Sequence, residues 1–327
     1  MAILASEKVL TLDYWKLAHN LKVGDYIFNS EGEIVQITVI QQYRSEECYK
    51  VTFDDQLSIR GDRNLGFMTE NTRYRIQTYR KGIFRRPLKE MKASDLIETD
   101  LRNRNNRFAY SVPTTKPINL PEQILPVPPF VFGFWYFNRR FNKRLAAPKG
   151  YGPEVYLQLK DHGYKVTEHR KATTGEMEFS VYPKIESHLI PNLPTKIPNN
   201  YLLASYEQRL ELLRGILHSK SRTYLKSKDM FRFSSVHYPT ILQVQGLIES
   251  LGHKTTVTFD EKFKFYSILF KSKLKLVDKQ EPPPIRVHHR RRFIRKIEPI
   301  QGQLCVHIET NGKNNTILVG EGFIACH

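Results

Sequence analysis

With 327 residues, 40% of them apolar and 12% aromatic, the chain carries core-forming side chains for two ordinary domains, which excludes disordered and fibrous classes. Lys and Arg number 51 against 33 Asp and Glu, and the formal charge of +18 points to a polyanionic partner, nucleic acid first. No apolar run reaches the ~18 residues of a membrane span, and Met1-Ala2-Ile3-Leu4-Ala5-Ser6 lacks the regions of a signal peptide, so a soluble, cytoplasmic protein with no membrane partner is expected.

Residues 8–77 alternate β-rich runs with turn signals: Val23 to Phe28, the turn Asn29-Ser30-Glu31-Gly32, Ile34 to Ile40, and Cys48 to Phe53. An all-β unit is predicted there. Proline-rich stretches at 113–129 and at Pro282-Pro283-Pro284 mark the expected boundaries. Between them the pattern predicts an apolar helix over 130–137 and strands over 155–159 and 178–182. Ser205 and Gln208 then offer a capping box, with Leu210, Leu213, Ile216 and Leu217 on one helical face. Pro239 suits the first turn of a further helix with the face Val244, Leu247, Ile248 and Leu251, and Gly252 suits its C-cap. Alternating strands follow at 255–259 and 263–270, so the order of elements reads as two copies of one α/β unit. After Pro284 the chain turns β-like again, through Leu304 to Ile308 and Thr316 to Gly320. A β domain interrupted by an α/β insertion accounts for this order.

Three segments carry a family resemblance. Lys8-Val9-Leu10-Thr11-Leu12-Asp13-Tyr14-Trp15, followed by Leu21-Lys22-Val23-Gly24-Asp25, resembles the first block of inteins, the self-splicing elements of the Hedgehog/intein fold. Ile59 to Thr69 stands in the place of the block that carries a Thr-x-x-His, and Ile317 to His327 resembles the last block. The insertion resembles a two-repeat LAGLIDADG homing endonuclease. Its signature helices match Phe130 to Arg139 and Leu213 to Ser221, with Gly133 and Gly215 small enough for close helix approach. The fold class implied is multidomain: an all-β Hedgehog/intein (Hint) domain, residues 1–113 and 285–327, interrupted by an α/β two-repeat LAGLIDADG domain, residues 114–284.

The resemblance implies a set of splicing positions. The family's first step needs a Cys or Ser nucleophile, and Ala2 occupies that place with a methyl group that has no such chemistry. The block's Thr and His positions fall on Asp62 and Leu65, so the general acid is absent as well. Asp62 can still accept a hydrogen bond, against the plainer reading of a solvated turn carboxylate. At the far end one register makes His327 the penultimate His, with the cyclising Asn beyond it. A rival register puts Cys326 in the His position and His327 in that of the Asn. The first register fits an element trimmed to prevent splicing, with Ala2 engineered, whereas Leu65 argues the other way, for natural drift. Cys48 and Cys305 read as packing residues, which leaves Cys326 as the cysteine near the expected chemistry.

The endonuclease positions tell a similar story. The family needs an acidic residue at the end of each signature helix to hold Mg²⁺, and here Asn138 and Lys220 occupy those places, with His218 at the second helix's other acidic position. An inactive nuclease is expected, with Mg²⁺ needed only if cleavage survives and no cofactor for splicing. Candidate DNA-binding residues are Arg139, Arg140, Arg222, Lys226, Lys264, Arg290, Arg291 and Arg292, the last three in the densest basic run, which also reads as a solvated linker. His288 and His289 have no acidic or Cys cluster beside them, so no metal site is expected.

Together these readings describe a monomeric intein, blocked in splicing, whose partners are the flanking host segments (exteins) and double-stranded DNA. Replication and packaging enzymes are frequent hosts in the family. The rivals are an active homing endonuclease with carboxylates elsewhere, and a DNA-binding protein without catalysis.

Overall fold

The predicted turn at Asn29 closes through its own side chain, whose Oδ1 accepts the amides of Glu31 and Glu33 at 2.9 and 3.0 Å. Gly32 completes it with φ at +78°, a conformation that favours glycine. The computed structural model describes residues 2–72, 88–138, 144–170, 176–189, 194–219, 222–225, 230–272, 274, 276–277 and 291–327. Before the insertion the strands are β1 (Ala2–Leu4), β2 (Lys8–Leu10), β3 (Trp15–Leu17), β4 (Tyr26–Phe28), β5 (Ile34–Ser45), β6 (Cys48–Phe53), β7 (Ser58–Asp62), β8 (Gly66–Asn71), β9 (Lys89–Lys92) and β10 (Tyr110–Pro113). A short helix, α1 (Ala93–Ile97), precedes β10 and was not foreseen. Next come α2 (Pro129–Asn138), β11 (Leu145–Ala147), α3 (Gly152–Asp161), β12 (Lys165–Arg170), β13 (Met177–Tyr182), α4 (Asn199–Leu202) and α5 (Tyr206–Leu217). They are followed by β14 (Arg222–Leu225), β15 (Met230–Ser235), α6 (Tyr238–Ser250), β16 (Thr255–Asp260) and β17 (Phe265–Phe270). The last strands are β18 (Arg291–Ile300), β19 (Gln303–Thr310), β20 (Ile317–Val319) and β21 (Ile324–Cys326).

The chain divides into two units, one of Met1–Asn119, Gly252–Lys254 and Arg286–His327, the other of Leu120–Leu251 and Thr255–Ile285. The expected boundaries stood at 113/114 and 284/285. Strands dominate the first unit and helices line the second, so the chain is a mostly β, multidomain protein with some helices. Among the described residues no helix is long and apolar enough to cross a membrane.

In the first unit a ten-stranded sheet runs β4-β5-β19-β1-β7-β6-β18-β10-β8-β9, and a second sheet runs β21-β20-β2-β3. The C-terminal strand β19 therefore lies between β5 and the N-terminal β1, with Leu4 opposite Cys305 and Ala2 opposite His307. Ile3, Val9, Val51, Phe53, Leu65, Phe67, Ile294 and Val306 fill the core beneath.

In the second unit α2 and α5 cross through glycine. A Cβ on Gly133 would lie 2.5 Å from Leu212 O, and one on Gly215 would lie 2.1 Å from Phe130 O, so each helix backbone rests in the other's gap. The contact is reciprocal, since Leu212 and Phe130 each stand three residues before the glycine of their own helix. Two antiparallel sheets, β11-β13-β12 and β14-β15-β17-β16, accompany these helices. The capping box holds as expected: Ser205 Oγ accepts Gln208 N at 3.4 Å, and Gln208 Oε1 accepts Ser205 N at 3.2 Å. Residues 155–159, expected as a strand, belong instead to α3. Pro153 starts that helix, and Val155 and Leu159, four apart, are its buried pair.

Burial holds the His253 imidazole down to about 4. A depressed histidine contributes stability above the unfolded value near 6.5 that is lost as pH falls towards 4, because the unfolded chain takes up the proton first. Since the residue keeps partial solvent access, about 1–2 kcal/mol is expected from it. Urea titrations at pH 7 and pH 5 check this: His253→Gln should flatten the fall between the two by that amount.

Candidate functional site

The residues expected to carry splicing converge in the first unit. Ala2 is buried in β1, where its neighbour Ile3 stands opposite Gly61 of β7. A Cβ on Gly61 would meet Ala2 O at 2.4 Å and the Leu65 side chain at 3.0 Å, so the lack of a side chain lets β1 and the turn after β7 approach. Leu65 N donates to Asp62 O at 3.1 Å and closes that turn. The next residue, Gly66, exchanges two backbone hydrogen bonds with His327: Gly66 N to His327 O at 3.1 Å, and His327 N to Gly66 O at 2.8 Å. This pairing brings the end of β21 to the start of β8, and the His327 Nδ1 lies 3.1 Å from Glu90 Oε1.

Asp62 is not a solvated turn carboxylate. Only 2% of it is exposed, and it accepts Tyr43 Oη at 2.6 Å, Asn64 N at 2.9 Å and Asn64 Nδ2 at 3.3 Å. Burial first, then this carboxylate, raises the Tyr43 phenol above its ordinary range and keeps it a donor.

Cys48 and Cys305 are buried packing residues of this layer, as expected, and the fold adds their place beside Ala2. Asp62 stands opposite Cys48 on β6, and Cys305 stands opposite both Leu4 and Tyr43. Opposed residues of antiparallel strands point to the same face, so Ala2, Leu4, Tyr43, Cys48, Asp62 and Cys305 share one. Ala2, Leu4, Cys48 and Cys305 pack as one apolar cluster, with the two sulfurs 3.8 Å apart. Burial, then Cys48 and Asp62, pushes the Cys305 thiol up to about 12, and burial raises Cys326 well above its ordinary value. Cys326 thus sits in the core while His327 reaches the Gly66 edge. No sequence pattern marks Cys305; only the pairing of β19 with β1 brings it to Ala2. Native-state alkylation at pH 8 should label none of the three cysteines until denaturant is added, and rapid labelling of Cys305 would contradict this burial.

At the helix ends of the second unit, Asn138 is buried and donates Nδ2 to Phe134 O at 2.8 Å, which ties the amide to its own helix. His218 is buried at the end of α5, with Nδ1 2.7 Å from Arg214 O and Nε2 2.8 Å from Glu154 Oε2 of α3. The latter is a close approach rather than an aligned hydrogen bond. Glu154 is a carboxylate the sequence reading did not select, and it comes from α3 rather than from a signature helix. Lys220 lies outside the described residues. A Mg²⁺ site built on two carboxylates does not fit this set, in which one position is an amide engaged with its own backbone and the other an imidazole. Among the described residues no group of three or more His, Cys, Asp and Glu is arranged to hold a metal.

The basic candidates separate. Arg291 and Arg292 belong to β18, not to a linker or a phosphate-binding surface: Arg291 pairs with buried Glu70, and Arg292 Nε donates to buried Asp55 Oδ2 at 2.7 Å. Buried carboxylates on neighbouring segments need those cations more than a solvated face does. Lys264 is exposed and forms an ion pair with Glu261 at 3.1 Å. Arg139, Arg140, Lys226 and Arg290 lie outside the described residues, as do His288 and His289, and Arg222 is described in its backbone alone.

No protein-family model matches the chain. Solved structures similar to it include inteins and a homing endonuclease. The MchDnaB-1 intein is 20% identical at a TM-score of 0.20, covering 20% of this chain and 52% of that one. The homing endonuclease I-DmoI, in complex with DNA and Mn, is 10% identical at a TM-score of 0.32, covering 45% of this chain and 89% of that one. Among proteins of described function, the replicative DNA helicase DnaB of Mycobacterium intracellulare is 24% identical over 250 residues, 73% of this chain. The match spans 40% of that helicase's length.

Proposed function

We propose that the chain is a protein-splicing element, with junction chemistry in the first unit and a second unit that holds DNA without cutting it. The observation that carries this reading is the meeting of Ala2, the Asp62–Leu65 turn and His327, held by the Gly66–His327 backbone pair. Ala2 cannot attack, but the Cys305 thiol packs in its cluster. In the proposed first step Cys305 Sγ attacks the carbonyl preceding Ala2; an S–C bond forms, the C–N bond to Ala2 breaks, and the thiol proton ends on the Ala2 amine. Asp62, on the same face of the sheet and opposite Cys48, is the acceptor through which that proton passes, since Leu65 offers no acid. At the far junction His327, held by Glu90, assists cyclisation of an Asn placed after it.

The DNA role rests on the charge of +18 and on the two-copy helix and sheet order of the second unit. The helix-end donor set supports binding without cleavage, and a DnaB-type replicative helicase is the host class we infer.

The test places residues 2–327 between two reporter segments, with Asn and then Ser appended after His327, and weighs the products by mass spectrometry. Ligated reporter and free element are expected, and Cys305→Ala should leave unspliced precursor while Ala2→Gly still splices. Precursor alone from the unsubstituted element would overturn the splicing reading. For the second unit, salt-sensitive duplex binding with no Mg²⁺-dependent nicking is expected, and nicking lost in Glu154→Gln would restore the active-endonuclease reading.

A further inference from the structure

We propose that the aromatic tip of the β16–β17 hairpin binds single-stranded nucleic acid, on the helix-side face of its sheet, where unpaired bases stack on exposed rings and two lysines take the phosphates. The site stands on the geometry of the second unit and depends neither on splicing nor on a duplex held elsewhere.

Three observations carry the inference. The first is the face. Tyr266 stands two and four residues before Ile268 and Phe270, and Phe259 is its partner on β16, so both extend the row of side chains that forms the core beneath α6. The other face of the sheet is polar here, with the Ser234 and Ser267 hydroxyls 2.8 Å apart. The second is exposure. Ile268 and Phe270 are buried, whereas at the outer end of the row Phe259 is 41% exposed, Tyr238 at the start of α6 is 46% exposed, and Phe263 in the turn is 64% exposed. The rings of Tyr238, Tyr266 and Phe259 adjoin, with centroids 4.8 and 4.6 Å apart, so they form one patch rather than scattered residues. The third is charge. Lys264 Nζ lies 5.8 Å from the Phe259 centroid, and Lys262 Nζ lies 5.2 Å from that of Phe263.

The turn that presents these groups is fixed by its own side chain. Asp260 Oδ1 accepts the amides of Lys262 and Phe263 at 3.0 and 2.9 Å, and Lys264 closes the turn with φ at +52°. The combination selects its occupant. In a duplex each base face is covered by its neighbour, whereas an unpaired base offers its face to a protein ring, and a cation beside the ring meets the phosphate that follows. An acidic peptide would satisfy the lysines and leave the rings without a partner. The ion pair of Lys264 with Glu261, at 3.1 Å, is solvent-exposed, so a phosphate replaces that carboxylate at little cost.

The experiment titrates a fluorescein-labelled oligothymidylate of about 12 nucleotides with the full chain at about 0.1 M NaCl and follows its anisotropy. Saturable binding is expected. Phe259→Ala and Phe263→Ala should each weaken it about tenfold, whereas Phe259→Tyr, which keeps a ring face, should stay within about twofold of the parent. Replacing both lysines, Lys262→Gln with Lys264→Gln, should lower the slope of log K against log salt by about 1.4. Phe263→Trp, at an exposed turn position, supplies a local signal that the oligonucleotide should quench. Unchanged affinity in both alanine variants, equal losses in Phe259→Ala and Phe259→Tyr, or no quenching would overturn the proposal. Equal quenching by an oligothymidylate–oligoadenylate duplex would overturn it in favour of a duplex contact, and displacement by polyglutamate at equal charge in favour of an acidic protein.

Discussion

Replacing Asp55 with alanine lowers the stability of the first unit by about 3–5 kcal/mol in urea denaturation. Its carboxylate accepts Arg292 Nε at 2.7 Å, with the two side chains 0% and 2% exposed. The substitution takes away the carboxylate that this buried guanidinium donates to, and most of the cost comes from a buried charge losing its partner rather than from lost surface attraction. The paired change Asp55→Leu with Arg292→Met should therefore recover most of the loss. Because the pair is shielded, raising NaCl from 0.1 to 1 M should leave the Asp55→Ala penalty nearly unchanged. A penalty under about 1 kcal/mol, as for a solvated pair, would return Arg292 to the basic surface suggested by its sequence.

Gly133→Ala and Gly215→Ala should each destabilise the second unit by about 3 kcal/mol and leave the first unit's transition in place. Alanine is the better helix former, so propensity alone predicts a gain of about 1 kcal/mol at each site. The close approach decides the sign, because the methyl at Gly133 meets Leu212 O and the one at Gly215 meets Phe130 O, both backbone atoms that no rotamer change can move. The double variant should cost well under the sum, since helices already pushed apart by one methyl have room for the other. Additive losses would mean that the two glycines do not share one contact. Gly246, in α6, has open space where a Cβ would go and is the control; Gly246→Ala should be neutral or stabilising.

Local signals in the sequence account for what was legible. The Ser205 capping box, the Gly32 turn and Gly252, with φ at +83°, were readable because each depends on residues a few positions apart. The α3 segment misled because Val155, Leu157 and Leu159 alternate like a strand, while Leu157 is exposed and Val155 and Leu159 set the buried face. The segments expected to carry splicing were picked out by family resemblance and do meet in the first unit, yet the state of their side chains was not legible. Asp62 looks like a turn residue until Tyr43 arrives from another strand, and although Cys305 is the packing residue it looks like, its place beside Ala2 shows only when β19 meets β1. Arg291 and Arg292 sit in the densest basic run, and only buried Glu70 and Asp55 reveal that two of its charges are neutralised within the fold. Each of these misses depends on partners far away in sequence.

The position of β19 between β5 and β1 sets an order of events during synthesis. Until residues 303–310 leave the ribosome, β1 lacks one of its two neighbours and Cys305 cannot reach Ala2. At about 5–20 residues per second, the stretch from β7 to β19 takes on the order of 10–50 s to translate, long enough for the intervening unit to fold first. On the proposed splicing chemistry, topology alone would hold back scission in a nascent chain. The same arrangement makes residues 2–119 and 286–327 two fragments of one sheet, suited to complementing each other when supplied as separate polypeptides.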